Sequence, residues 1–152
     1  MKRVLVNEPA CMGCHLCEVH CQLQHSRSRD LLKAFKKESP KPTPRLRIEV
    51  RKPVFFSLRC QQCTEPSCVS ACLTGALSRN PETGVVTTDE DRCIGCWTCI
   101  LACPYGSIRQ DALKHKPVKC DLCQGAETPA CVLNCPNEAL TCEEVTAKVL
   151  VR

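Results

Sequence analysis

Sixteen of the 17 cysteines in this chain stand in four groups of four: Cys11, Cys14, Cys17, Cys21; Cys60, Cys63, Cys68, Cys72; Cys93, Cys96, Cys99, Cys103; and Cys120, Cys123, Cys131, Cys135. The first and third groups read C-x2-C-x2-C-x3-C, and Pro104 follows the third. Thiolates are soft ligands suited to zinc, copper(I) and iron–sulfur clusters, and the x2, x2, x3 run is the one that wraps a [4Fe-4S] cube. The predicted chemistry is one-electron transfer at four [4Fe-4S] clusters, with all sixteen of these cysteines as ligands. Four thiolates on each cluster leave no iron open to a substrate. No other constellation in the chain offers a nucleophile, an acid–base pair or a phosphate loop, so no catalytic residue is assigned and the chain is read as a carrier rather than an enzyme.

Composition points the same way. Only three Phe, one Trp and one Tyr occur in 152 residues, and the 43% apolar share is inflated by cysteine. So little hydrocarbon makes a small core, so metal binding and folding are expected to be one event, and the apoprotein is expected to be largely unfolded. A secreted disulfide scaffold would need an export signal, and residues 1–10 hold no apolar signal core. No run is long enough to span a membrane, so a reducing cytoplasm without direct membrane insertion is expected. The formal charge of +5 counts cysteine as neutral. Sixteen thiolates against four cluster cores shift it by roughly −8, to about −3 in the oxidised holoprotein, which removes the case for a nucleic-acid partner.

The elements that must position the cysteines are short. After Cys72 comes Leu73-Thr74-Gly75-Ala76-Leu77, then the turn signal Asn80-Pro81-Glu82-Thr83-Gly84, then Val85-Val86 and an acidic Asp89-Glu90-Asp91 before Cys93. Similar segments follow Cys103 and Cys135. Each is expected to make a short helical turn leading to a strand. Between motifs one and two lies an insertion in which residues 27–59 hold 11 of the 21 Lys and Arg against Asp30, Glu38 and Glu49. Ser28 or Asp30 is expected to cap a helix through Leu31, Leu32 and Phe35, stopped by Pro40, Pro42 and Pro44, and Arg45-Leu46-Arg47-Ile48-Glu49-Val50 alternates as a strand. A solvated excursion that balances cluster charge and a docking element for an acidic redox partner are both open readings of this basic stretch.

The link from Cys72 to Cys93 resembles the one between the halves of a two-cluster ferredoxin. The whole series of motifs, including C-x2-C-x4-C-x3-C from Cys60 and C-x2-C-x7-C-x3-C-P from Cys120, resembles the four-cluster ferredoxin subunits of modular redox enzymes. These include the iron–sulfur subunits of dimethyl-sulfoxide-reductase-type molybdoenzymes. The compact length and the segments His25-Ser26-Arg27-Ser28 and Pro40-Lys41-Pro42-Thr43-Pro44-Arg45 look like the small ferredoxin subunits of carbon monoxide dehydrogenase or tungsten aldehyde oxidoreductase. The first two motifs depart from the pattern, with Gln22 and Leu73 where a proline follows the last cysteine.

This resemblance implies a small, irregular α+β fold of two ferredoxin-like two-cluster modules related by a pseudo-twofold repeat and folded around their clusters. One module is residues 1–23 with 104–152, the other is residues 60–103, and residues 24–59 are the basic insertion. In such pairs the fourth cysteine of a motif ligates the other cluster. The ferredoxin-like link then implies that Cys60, Cys63 and Cys68 are completed by Cys103, and Cys93, Cys96 and Cys99 by Cys72. Motifs one and four are left to each other: Cys11, Cys14 and Cys17 with Cys135, and Cys120, Cys123 and Cys131 with Cys21. The implied function is electron transfer between a catalytic oxidoreductase subunit and a second redox protein. Aldehyde oxidoreductase, carbon monoxide dehydrogenase, formate dehydrogenase and hydrogenase are examples of the catalytic side, and higher-order assembly is left open.

Other residues receive plainer readings. His15, His20, His25 and His115 are read as structural or exposed, Trp97 and Tyr105 as packing, and Cys142 as a small buried apolar residue in a strand over residues 140–145. The alternative function is a zinc-binding module or an iron–sulfur sensor or scaffold. Zinc domains seldom use the x2, x2, x3 run, and a sensor is better served by one labile cluster.

Overall fold

The computed structural model describes residues 1–111 and 113–145, so residues 146–152 of the expected first module lie outside them. Its elements are short because the cysteine loops interrupt every apolar run. Four two-stranded antiparallel sheets form: β1 (Lys2–Val6) with β8 (Leu140–Glu144), β2 (Leu46–Arg51) with β3 (Val54–Arg59), β4 (Leu77–Arg79) with β5 (Val86–Thr88), and β6 (Arg109–Asp111) with β7 (Lys116–Val118). The helices are α1 (Leu16–Gln24), α2 (Ser67–Ser70), α3 (Thr98–Ala102) and α4 (Ala130–Leu133). The result is a small α+β fold. None of these helices is long and apolar enough to cross a membrane.

The β1–β8 pair carries chain from before motif one alongside chain from after motif four. Val6 faces Leu140 and Val4 faces Cys142 across it, and Val4 and Leu140 are buried. The expected turn after β4 is made by Asn80, whose side-chain oxygen accepts the Glu82 and Thr83 amides at 2.8 and 2.9 Å. After each of Cys72, Cys103 and Cys135 the chain makes only one turn, closed by Gly75, Gly106 or Glu138 donating to the cysteine carbonyl at 3.2 Å. The helical start expected there is thus a single turn, since positive φ at these three closing residues stops a helix from continuing.

The insertion is more structured than its sequence suggests. Asp30, rather than Ser28, caps the next turn by accepting the Lys33 amide at 2.9 Å. That turn is a wide π-type one, Lys33–Lys37, with Ala34 fully buried and Leu31 and Leu32 left exposed. The strand expected from Arg45 begins at Leu46, and it gains a partner, β3, that its pattern does not announce. The hairpin is fastened to α1, where Glu18 accepts the Ile48 amide at 2.6 Å and Gln22 donates to the Pro42 carbonyl at 3.1 Å. The basic stretch is not one surface patch either. Arg27, Arg29, Lys33, Lys36 and Lys37 are exposed, but Arg45 pairs with Asp121 at 2.6 Å and Arg59 is only 2% exposed.

Among the described residues six of the sixteen buried apolar side chains are cysteines and none is aromatic. The apolar core is accordingly split into two small clusters, one around Val4, Leu46 and Leu140 and one around Leu77, Val86 and Ile108. A polar side chain helps join them. Gln62, 1% exposed, accepts the Val86 amide at 2.8 Å and donates to the Cys120 carbonyl at 2.8 Å, while its own carbonyl accepts from Arg3 at 3.0 Å. Removing it would orphan buried backbone groups at about 1–3 kcal/mol each.

Candidate iron–sulfur site

Each motif presents its first cysteines on a loop bent by a left-handed residue and its later ones on or beside a short helix. In motif one Gly13 and His15 have φ of 68° and 62°, and in motif three Gly95 and Trp97 have 70° and 63°. In motifs two and four the bend falls on Gln62 at 49° and Leu122 at 57°, with Pro66 and Pro129 leading into α2 and α4. These bends turn successive side chains inward around one space. At Gly95 the bend allows no side chain, because a Cβ there would lie 2.6 Å from the His115 carbonyl oxygen. Gly95→Ala is expected to cost the iron of the Cys93 group while the other groups keep theirs, read by iron analysis and electron paramagnetic resonance.

The structure brings the sixteen cysteines into four sets, and in each set one member comes from a different motif. Cys11, Cys14 and Cys17 line a small cavity of about 20 Å³ with Cys135. Cys93, Cys96 and Cys99 line another of about 20 Å³ with Cys72. Burial pushes the Cys21 thiol up to about 12, and Cys120 and Cys123 beside it push in the same direction. Cys131 is pushed up by burial and by Cys120, Cys21 and Cys123. Burial followed by Cys60 and Cys103 raises Cys63, and Cys60, Cys103 and Cys63 all act on Cys68. The cysteines surround spaces and do not meet at a point. Among the described residues no three His, Cys, Asp or Glu converge on a single ion.

The sets adjoin in a definite order. Cys17 and Cys21 are one turn apart on α1, so the Cys11 set lies next to the Cys21 set. Cys60 acts on Cys120, placing the Cys60 set third. Cys68 acts on Cys99, placing the Cys93 set last. Cys14 and Cys96, one in each end set, are exposed, whereas Cys21, Cys120, Cys123 and Cys131 are all buried.

The donors fit iron–sulfur clusters on chemistry as well as count. Burial drives the thiols of Cys17 up to about 12 and of Cys99 and Cys120 up to about 11, so at neutral pH only metal would hold them ionised. Arg59 is buried with no hydrogen-bond partner for its Nε. Its charge is supported by whichever of the nearby Cys120, Cys131, Cys60 and Cys142 sulfurs is ionised. A buried guanidinium bonded to the Ser57 carbonyl at 3.4 Å and set among cysteines calls for anionic sulfur.

Residues 52–151 match the family model for the 4Fe-4S dicluster domain. The chain belongs to this family. It is 36% identical over 159 residues to the electron transport protein HydN of Escherichia coli (strain K12), covering 91% of this chain and 86% of that one. It is 34% identical over 157 residues to a subunit of the sulfite dehydrogenase of Allochromatium vinosum, covering 90% and 65% respectively. It is 38% identical over 133 residues to the polyferredoxin-like subunit of an aliphatic sulfonate oxidoreductase of Pyrococcus furiosus, covering 87% and 70%. Among solved structures the fold is similar to a chain of the active-site complex BamBC of benzoyl coenzyme A reductase as isolated, with TM-score 0.51, 24% identity and coverage of 99% of this chain and 84% of that one. Like other chains of this dicluster family, this one carries [4Fe-4S] chemistry.

Several groups around the sets are not announced by the sequence. Asp121 joins His25 at 3.2 Å and Arg45 at 2.6 Å. Burial alone would raise its carboxyl, but the His25 hydrogen bond and the Arg45 charge outweigh it and hold it at about 2. Amides of Arg45, Leu77 and Leu122 donate to the sulfurs of Cys21, Cys72 and Cys120 at 3.2, 3.5 and 3.4 Å. Such bonds stabilise thiolate charge and tune a bound cluster. His15, expected to be structural or exposed, is exposed and binds Glu18 at 2.9 Å. Cys142 lies in β8 but is half-buried rather than buried, although Val4 opposite it is buried.

Proposed function

We propose that this chain is an electron-transfer subunit that passes single electrons along four [4Fe-4S] clusters, between a catalytic oxidoreductase subunit and a second redox protein. The observation that carries the proposal is the row of four cysteine sets, with an exposed cysteine in each end set and one inner set wholly buried. Bound clusters would supply one-electron carriers with no open iron site. The protein's part is to hold sixteen thiolates in place, to exclude water from the set of Cys21, Cys120, Cys123 and Cys131, and to present Cys14 and Cys96 to partners.

The names of the relatives support this reading, because one is an electron transport protein and two are subunits of oxidoreductases. The matching φ values of motifs one and three, and of the bends in motifs two and four, support two modules related by a pseudo-twofold repeat, 1–23 with 104–152 and 60–103. The four-cluster subunits of dimethyl-sulfoxide-reductase-type enzymes remain the finer assignment, with a reducing cytoplasm as the compartment that suits free thiols.

Iron and acid-labile sulfide analysis of anaerobically purified protein tests the proposal. About sixteen irons per chain are expected, one cubane for each cysteine set. A value near eight would contradict it, leaving two of the sets without clusters.

A further inference from the structure

Among the described residues three cations are buried, and all three face the two inner cysteine sets. Arg59 is 2%, Lys119 3% and Arg3 7% exposed. Arg59 faces Cys60 of one inner set and Cys120 and Cys131 of the other. Lys119 donates from Nζ to the carbonyls of Val86 and Cys120, and its charge opposes the rise that burial imposes on the Cys68 thiol. Arg3 acts in the same sense on Cys63. Among the described residues no carboxylate forms an ion pair with any of the three.

The outer sets differ in burial: Lys116 donates to the Cys93 carbonyl at 2.6 Å but is only half-buried. Neither outer cavity is lined by a lysine or arginine, and the charged neighbour acting on Cys17 is the carboxylate of Glu18. Taking up an electron adds one negative charge, and away from water the energy of that charge depends strongly on cations nearby. Burial of Arg59, whose Nε has no partner, costs stability.

We propose that Arg59 and Lys119, buried where the two inner cysteine sets meet, raise the reduction potentials of the two inner clusters above those of the two outer ones. The inference rests on the four-cluster reading above. An electron from the reducing partner enters at one outer set, rests on the inner pair, and leaves from the other outer set to the oxidising partner. One electron is gained and one lost, and no bond forms or breaks. Two electrons can thereby be stored in the middle of the row while each end stays oxidised and ready to accept.

The test is a redox titration of the holoprotein followed by electron paramagnetic resonance, comparing wild type with Arg59→Met, Lys119→Met and the exposed control Lys52→Met. In the two buried-site variants the reduction equilibrium of the inner clusters should fall at least about tenfold, which is 59 mV for one electron. The outer pair and the control should not move. Equal shifts of all four clusters, or no shift, would overturn the proposal. Should Arg59→Met fail to retain iron, Arg59→Lys decides, because it keeps the charge and alters the shape. It should hold full iron with inner potentials close to wild type, and loss of iron or a fall in inner potential there would make the role structural and overturn the inference. Iron analysis separates the two levels: eight irons in wild type defeats the four-cluster reading itself, whereas sixteen irons with unmoved potentials defeats only the role of the cations.

Discussion

Stripping the iron with a chelator under reducing conditions is expected to unfold the chain, with loss of the far-ultraviolet dichroism of its short helices and of any cooperative thermal transition. The apolar core is two small clusters without a buried aromatic side chain. Structural metal sites of the zinc type contribute about 10–16 kcal/mol each, as much as the whole stability of an ordinary domain, about 5–15 kcal/mol. With metal gone, the buried thiols become neutral and Arg59 and Lys119 lose their counter-charges, which adds a cost of burial. Alkali offers no rescue. A Cys21 thiol held near 12 in the fold against an ordinary 9.0 means that the unfolded chain ionises first. Any compact metal-free state therefore loses stability as pH rises from about 9 toward 12. A metal-free protein that kept a cooperative transition would show that hydrocarbon packing, rather than ligation, holds the fold.

Cys21→Ser is expected to damage the cluster held by Cys120, Cys123 and Cys131 and to leave that of Cys11, Cys14 and Cys17 intact. Cys21 belongs to motif one in sequence, yet one turn of α1 carries its sulfur away from Cys17 and into the company of motif four. The Arg45 amide at 3.2 Å from that sulfur helps hold it there. Serine oxygen is a hard donor and a poor substitute on iron. Because this set is interior to the row, its loss should interrupt passage from end to end, although each end would still accept an electron. Electron paramagnetic resonance of the reduced variant, compared with Cys135→Ser, measures which signal goes. If both variants removed the same signal, the crossed arrangement would be wrong.

The grouping of cysteines was legible because ligand spacing is local: x2 and x3 intervals fix which sulfurs a loop or a helical turn can present together. The crossed membership came from the ferredoxin-like link, and the structure places Cys103 beside Cys60 and Cys63, and Cys72 beside Cys93, in the same way. What sequence could not show is which charges turn inward. Arg59 reads as one of many cations in a basic stretch, and only the fold, with Leu46 opposite Arg59 in the β2–β3 hairpin, brings it among cysteines of motifs two and four. Strand β3 was missed for a related reason. Its buried positions are Ser57 and Arg59 while Val54 is exposed, so apolar alternation gives the wrong face or none. Gln62 and Lys119 are likewise made structural by partners far along the chain.

Counting electrons decides whether four one-electron centres stand in a single row. A reductive titration of anaerobic holoprotein with a strong one-electron donor should take up close to four electrons per chain, about one for each [4Fe-4S] centre, with magnetic coupling between neighbouring centres as the last ones fill. Uptake of two electrons per chain from fully iron-loaded protein would contradict the account.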